Sequence, residues 1–144
     1  MTLIEVMMVV FIIGLATGLV VLTLPPRASA EQQAAKAFAQ VLTQAQGQAV
    51  LSGQPVGIVL KDDHYTVRIW RAGRWEYMRG GAQLERGVKL RMDRMRGVET
   101  PEGWPDLVFD PTGVSDGASF RLRGRSEQIT LTLDASGEVQ LETQ

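Results

Sequence analysis

Between Val6 and Leu24 the chain carries no charged side chain. The stretch reads VMMVVFIIGLATGLVVLTL, nineteen residues diluted by two threonines and two glycines. A helix of that length rises about 28 Å, close to the hydrocarbon thickness of a bilayer. A domain that folds in water does not begin this way, so a membrane-spanning helix is expected. A cleaved secretory signal fits poorly. It needs a basic first region, a shorter apolar stretch and a small-residue cleavage site. Here no Lys or Arg precedes the run, and the charged residue ahead of it is an acid, Glu5.

The run ends at Leu24-Pro25-Pro26. Two prolines remove two backbone donors and push the preceding residue out of the α region, which predicts a kink there. Ser29 is placed to cap a new helix, with Glu31 and Gln32 in its first turn. Ala30 to Ser52 is rich in Ala and Gln and contains no proline. Phe38, Val41, Leu42, Ala45, Ala49 and Val50 recur at spacings of three and four, the mark of one apolar face. Gly53 is a natural stop, followed by Pro55. The two helical pieces would span about 75 Å if roughly straight.

Beyond Gly53 the period changes to two. Val56, Ile58 and Leu60 alternate with other residues, as do Tyr65, Val67 and Ile69, then Val88, Leu90 and Met92. Phe120 and Leu122, and Ile129, Leu131 and Leu133, follow the same rule. Turn chemistry separates these runs: Asp62-Asp63, Ala72-Gly73, Asp110-Pro-Thr-Gly113 and Asp134-Ala-Ser-Gly137. Seven or eight short strands are predicted, forming one sheet with a buried face or a two-sheet sandwich. The apolar face of the second helix is the natural cover. The expected fold is α+β: a long N-terminal helix, one half transmembrane and one half amphipathic, packed on a β-rich head of antiparallel strands. The divisions are an anchor over 1–24, a helical stem over 25–53 and a head over 54–144.

The composition excludes much chemistry. There is no cysteine, and His64 is the single histidine. Disulfides, thiolate metal sites and His-based triads are thereby set aside. No nucleophile elbow, phosphate-cradling glycine loop or metal-ligand spacing occurs. No catalytic, cofactor or metal residue is expected, and the chain does not read as an enzyme. The formal net charge is −1. Within it, Arg68 to Arg96 is strongly basic and Glu99 to Asp116 is acidic. These runs are expected to be solvated faces, or a polar contact between unlike subunits. A DNA-binding stripe using Trp70, Trp75 and Tyr77 for stacking is a further reading. The acidic C-terminal tail and the near-neutral total weigh against it.

Glu5 is the sharpest single residue. A carboxylate at the head of a membrane segment is costly unless it reaches water or pairs with a cation. No Lys or Arg precedes Arg27, so the nearby cation is the amino group of Met1. Glu5 either snorkels to the interface, meets the Met1 amine of its own chain, or meets that of a staggered neighbour. The last contact would set axial register in an assembly. Gly14 and Gly18 form a GxxxG pattern that allows membrane helices to approach closely.

Thr2-Leu3-Ile4-Glu5-Val6-Met7-Met8-Val9-Val10, running on to Ile12-Ile13-Gly14-Leu15, closely resembles the mature N-terminus of type IV pilins and type II secretion pseudopilins. The stem and β head extend that resemblance along the chain. Residue 1 is Met where the family usually has Phe. The chain is read as numbered from the mature start, without the basic leader. The resemblance implies leader removal by a prepilin peptidase, N-methylation of Met1, and assembly guided by Glu5. Within the family, the block Leu107 to Gly113, with Ile129 to Leu133 and Gly137 to Leu141, resembles the H-type minor pseudopilin and its relative FimT, a minor pilin of type IV pili. The implied function is structural: a subunit at or near the tip of the type II secretion pseudopilus, supporting export of folded proteins across the outer membrane. The implied place is the inner membrane, single-pass, with the head in the periplasm. The implied partners are the I-, J- and K-type minor pseudopilins, the major pseudopilin and the inner-membrane assembly platform. Nucleic acid is not an expected partner. A FimT-like minor pilin that captures DNA is the alternative, and a bitopic protein that never polymerises is a third reading.

Overall fold

The computed structural model describes residues 2–22, 28–93 and 100–143, with side chains described as far as residue 17 in the first stretch. Helix α1 covers Leu3–Leu22 and helix α2 covers Ala30–Ser52. Among the described residues eight strands follow: β1 Val56–Leu60, β2 His64–Arg71, β3 Arg74–Gln83, β4 Lys89–Asp93, β5 Leu107–Phe109, β6 Ala118–Arg123, β7 Gln128–Leu133 and β8 Val139–Thr143. The expected kink at Pro25 and Pro26 lies outside the described residues.

The limits of α2 follow from local chemistry. The Ser29 side chain accepts a hydrogen bond from the Gln32 amide at 3.0 Å, satisfying one of the donors that a helix start leaves free. At the other end Gly53 adopts φ 62, the left-handed conformation that closes a helix without a Cβ penalty.

All strand pairs are antiparallel, in two four-stranded sheets. The first has the order β3-β2-β1-β5 and the second β4-β6-β7-β8. Of the two arrangements open from sequence, the chain adopts the two-sheet one. The β2–β3 hairpin turns on Ala72 (φ 48) and Gly73 (φ 79), both left-handed as a tight two-residue hairpin requires. Gly57, on β1, meets another constraint. A Cβ there would run into the Pro105 ring and crowd Trp75.

The core lies where α2 crosses both sheets. Phe38, Leu42, Ala45 and Ala49 of α2 are buried against Val56, Ile58, Tyr65, Val67 and Ile69 of the first sheet and Leu90, Phe120, Leu122, Ile129, Leu131 and Leu133 of the second. Phe38 is the joint. Its ring packs edge-on against Tyr65 (5.0 Å between centroids, 62°) and Phe120 (5.1 Å, 79°), one from each sheet. The predicted helix face is corrected at its last position: Val50 is 51% exposed. Successive residues turn through about 100°, so Val50 lies beyond the stripe set by Leu42, Ala45 and Ala49.

Candidate functional site

Three features of the chain bear on what it does: an uncovered apolar helix, a stem fixed to the head at both ends, and an outer surface that carries most of the charge.

No described side chain of helix α1 belongs to the core cluster. From Thr2 to Thr17 every described side chain is exposed, on all sides of the helix. Leu3 (83%), Phe11 (69%) and Leu15 (61%) show the extent. A Cβ built on Gly14 meets nothing within 4 Å, so the helix surface is open there. The side-chain surroundings of Gly18 lie outside the described residues, as does Met1. Among the described residues no helix is long and apolar enough to cross a membrane. Side-chain description ends at Thr17, short of the Val6–Leu24 run that supports such a span in the sequence.

At its start α1 is capped locally. The Glu5 amide donates to the Thr2 carbonyl at 3.1 Å, and Glu5 Oε2 accepts from the Thr2 amide at 3.4 Å. Thr2-Leu3-Ile4-Glu5 has the spacing of a capping box, a local use of Glu5 that sequence reasoning missed. The long bond is weak, and it leaves most of the carboxylate's acceptor capacity free. Inside the run, Thr17 Oγ1 donates to the Ile13 carbonyl at 2.7 Å, so this hydroxyl is satisfied within the helix itself.

Helix α2 is bolted to the head at both ends. At its N-terminal end Glu31 is 3% exposed. Its carboxylate accepts from the Ser126 amide at 3.1 Å and the Ser126 hydroxyl at 3.0 Å. These bonds, the amide of Ser126 foremost, pull its pKa from 4.5 to about 2. Gly124 leaves the space the carboxylate fills, since a Cβ there would collide with it. Beside it Glu127 accepts from the Ser29 hydroxyl and from Gln32 Nε2.

Towards the other end Gln46 Nε2 donates to the carbonyls of Gly113 (2.9 Å) and Ser136 (2.7 Å). Those carbonyls belong to two turns of one design. Asp110 Oδ1 accepts from the Thr112 amide and hydroxyl and from the Val114 amide. Asp134 Oδ1 accepts from the Ser136 amide and hydroxyl and from the Glu138 amide. Both carboxyls are held below the usual range, chiefly by the hydroxyls of Thr112 and Ser136. Each Asp-x-Thr/Ser-Gly turn is visible in sequence. Their meeting on one glutamine of α2 is not.

Two of the three aromatic residues considered for base stacking are engaged in a cluster of their own. Trp70 and Trp75 pack on each other (5.3 Å) and both pack on Trp104 (5.8 Å). Tyr77 is exposed. Trp104, in the connector before β5, escaped sequence reasoning because its partners are distant in sequence. The basic run divides between the sheets. Arg68, Arg71, Arg74 and Arg79 lie on β2 and β3, whereas Lys89 and Arg91 lie on β4; Arg94 and Arg96 are outside the described residues. His64 is exposed beside Asp63, with 2.7 Å between Nδ1 and Oδ1. Among the described residues no cluster of His, Asp or Glu suited to a metal ion occurs.

The chain is similar in fold to several solved structures. The minor pseudopilin EpsH from the type 2 secretion system of Vibrio cholerae superposes with a TM-score of 0.65 at 21% identity, over 80% of this chain and 98% of that one. The solution structure of Escherichia coli GspH gives 0.62 at 20% identity, over 76% and 84%. The type IV minor pilin FimU of Pseudomonas aeruginosa gives 0.57 at 16% identity, over 77% and 91%. At these identities the likeness establishes a pilin-like α+β fold. No curated protein sequence matches the chain. The family model of type II transport protein GspH matches residues 34–137, most of the stem and head together. With the fold in agreement, the chain belongs to the GspH family and is a minor pseudopilin of type II secretion.

Proposed function

We propose that this subunit is held in the inner membrane by residues 1–24, carries a stem over 25–53 and a periplasmic head over 54–144, and enters the pseudopilus at or near its tip. The observation that carries this reading is helix α1. Among the described residues the core of stem and head is complete without it, and its apolar side chains are left uncovered. A helix apolar all round belongs in lipid or in a bundle of similar helices. Transfer from one to the other is cheap because both surroundings are apolar. The internally bonded Thr17 hydroxyl suits either environment.

Glu5 then sets the register. Its carboxylate has spare acceptor capacity beyond the Thr2 cap, and the N-terminal amine of a neighbour's Met1, methylated after processing by the prepilin peptidase, supplies the cation. Gly14 and Gly18 let helices approach, and Pro25 and Pro26 mark the kink at the membrane face. The partners are the I-, J- and K-type minor pseudopilins, the major pseudopilin and the assembly platform. The bolted stem suits this work, because force applied to α2 reaches the head through contacts at both of its ends. The subunit performs no catalysis of its own.

The test is Glu5→Ala in the full chain, measured by membrane fractionation and by recovery in pseudopili. The variant is expected to stay in the membrane fraction while its recovery in filaments falls by an order of magnitude or more. Unchanged incorporation and secretion would refute the register role, whereas absence of the parent chain itself from pseudopili would favour a bitopic protein that does not polymerise.

A further inference from the structure

Strands β4 and β6 place like charges directly opposite one another. Lys89 stands across from Arg123, and Arg91 across from Arg121. All four side chains are exposed, on the outer face of the second sheet. Such pairing disfavours the sheet unless something compensates it. Among the described residues, ion pairs compensate it at one end. Arg91 pairs with Asp62 (3.2 Å) and Arg121 with Asp93 (2.8 Å). Among the described residues no carboxylate forms an ion pair with Lys89, Arg123 or Arg125. The four cations line a shallow cleft of about 590 Å³ together with Gln128 and Asp93. Arg125 extends the patch, reaching back over Gly87 in the turn before β4. The two acids at this turn, Glu127 of the turn itself and Glu31 of α2, are occupied with Ser126, Ser29 and Gln32. Glu85 is exposed before β4, and Glu142 lies in the cross-strand row of Arg91 and Arg121, at the compensated end.

The unpaired end of this patch has a definite place. Arg123 leads into the Gly124–Glu127 turn, and that turn receives the first residues of α2. It therefore lies where the chain arrives from α1. Six residues, and so seven Cα-to-Cα steps, separate Leu22, the last described residue of α1, from Ser29, the cap of α2. Even fully extended they reach no more than about 25 Å. If α1 lies in the bilayer, the base of the head is held beside the headgroup layer.

We propose that the cleft formed by Lys89, Arg91, Arg121 and Arg123, extended by Arg125, binds the headgroups of anionic phospholipids and seats the base of the head on the membrane before assembly. This rests on the anchored reading above. Arginine offers paired donors to phosphate, and the two like-charge pairs supply two adjacent cationic positions. The compensation gradient selects lipid over an acidic protein segment, because the unneutralised cations lie at the end tethered to the membrane.

The chain itself provides a probe. Its lysines are Lys36, Lys61 and Lys89, and only Lys89 lines the cleft. The full chain is reconstituted into nanodiscs of phosphatidylcholine alone, or with about one-third phosphatidylglycerol, and acetylated with an amine-reactive reagent. Acetylation of each lysine is followed by mass spectrometry. In the anionic discs Lys89 is expected to react about five-fold more slowly, the factor that one cation near an anionic surface contributes. Lys36 and Lys61 are expected to change less than two-fold. High salt, Arg123→Glu or Arg125→Glu should each bring the ratio between disc types back towards one. Both arginines are exposed, so neither variant threatens the fold. If the chain fails to enter either disc, the anchored reading fails and this proposal falls with it. If it enters both and Lys89 reacts equally, the lipid proposal alone is overturned. Protection of Lys89 only on adding another pseudopilin's acidic head would likewise overturn it and assign the cleft to a protein interface.

Discussion

Phe38→Ala should remove the joint between α2 and the two sheets. The ring is fully buried and meets Tyr65 and Phe120 edge-on, so truncation opens a cavity bordered by all three layers. Removal of a buried phenylalanine ring costs about 3–5 kcal/mol. Two aromatic contacts at about 0.5–1.5 kcal/mol each place this site in the upper half of that range. A loss of about 4 kcal/mol is therefore expected. With a slope of about 1–3 kcal/mol per molar urea, the unfolding midpoint should fall by about 2 M. The assay is urea titration of the full chain in a mild detergent, read by tryptophan fluorescence. Trp70, Trp75 and Trp104 form one cluster on the first sheet, so the signal reports whether loss of an α2 side chain releases a sheet it only touches. Val50→Ala, at a position half exposed on the same helix, should stay within about 0.5 kcal/mol of the parent. If Phe38→Ala cost less than about 1 kcal/mol, or left the tryptophan transition in place, α2 would not be the element that holds the sheets together.

Three further outcomes follow from the bolts. The pKa of Glu31 is depressed in the folded chain, so its contribution is complete above pH 4.5 and is lost as pH falls towards 2. Glu31→Gln should remove that component of acid destabilisation, seen as a smaller drop in the urea midpoint over this window than in the parent; an equal drop would refute it. Gly124→Ala should destabilise by about 1–3 kcal/mol through collision with Glu31. Glu31→Ala in the same chain should recover part of that loss, and strict additivity in a double-mutant cycle would deny the contact. Gln46→Ala should cost about 1–2 kcal/mol for two lost hydrogen bonds and speed amide exchange in the turns at 110–114 and 134–138; unchanged exchange would count against the bridge.

What was legible in sequence was local. The limits of α2 follow from Ser29, Gly53 and the spacing of Phe38, Leu42, Ala45 and Ala49, because capping and helical period act within a few residues. The Ala72-Gly73 hairpin and the turns at Asp110 and Asp134 follow from backbone and side-chain chemistry inside the turn. The uncharged run and Glu5 announce an apolar helix with an acid at its head from residue types alone. Only the tertiary structure decided which strands share a sheet. β1 pairs with β5 and β4 with β6, across separations that no local preference encodes. Only folding turned Glu31, read as an ordinary first-turn acid, into a buried anchor, and Gln46, one of several glutamines, into a bridge between two distant turns. It also gathered Lys89, Arg91, Arg121 and Arg123 into one cleft from segments about thirty residues apart. Periodicity and turn chemistry are short-range and can be read along the chain. Strand register and the partners of buried polar groups depend on contacts between distant segments, and those exist only once the core has formed.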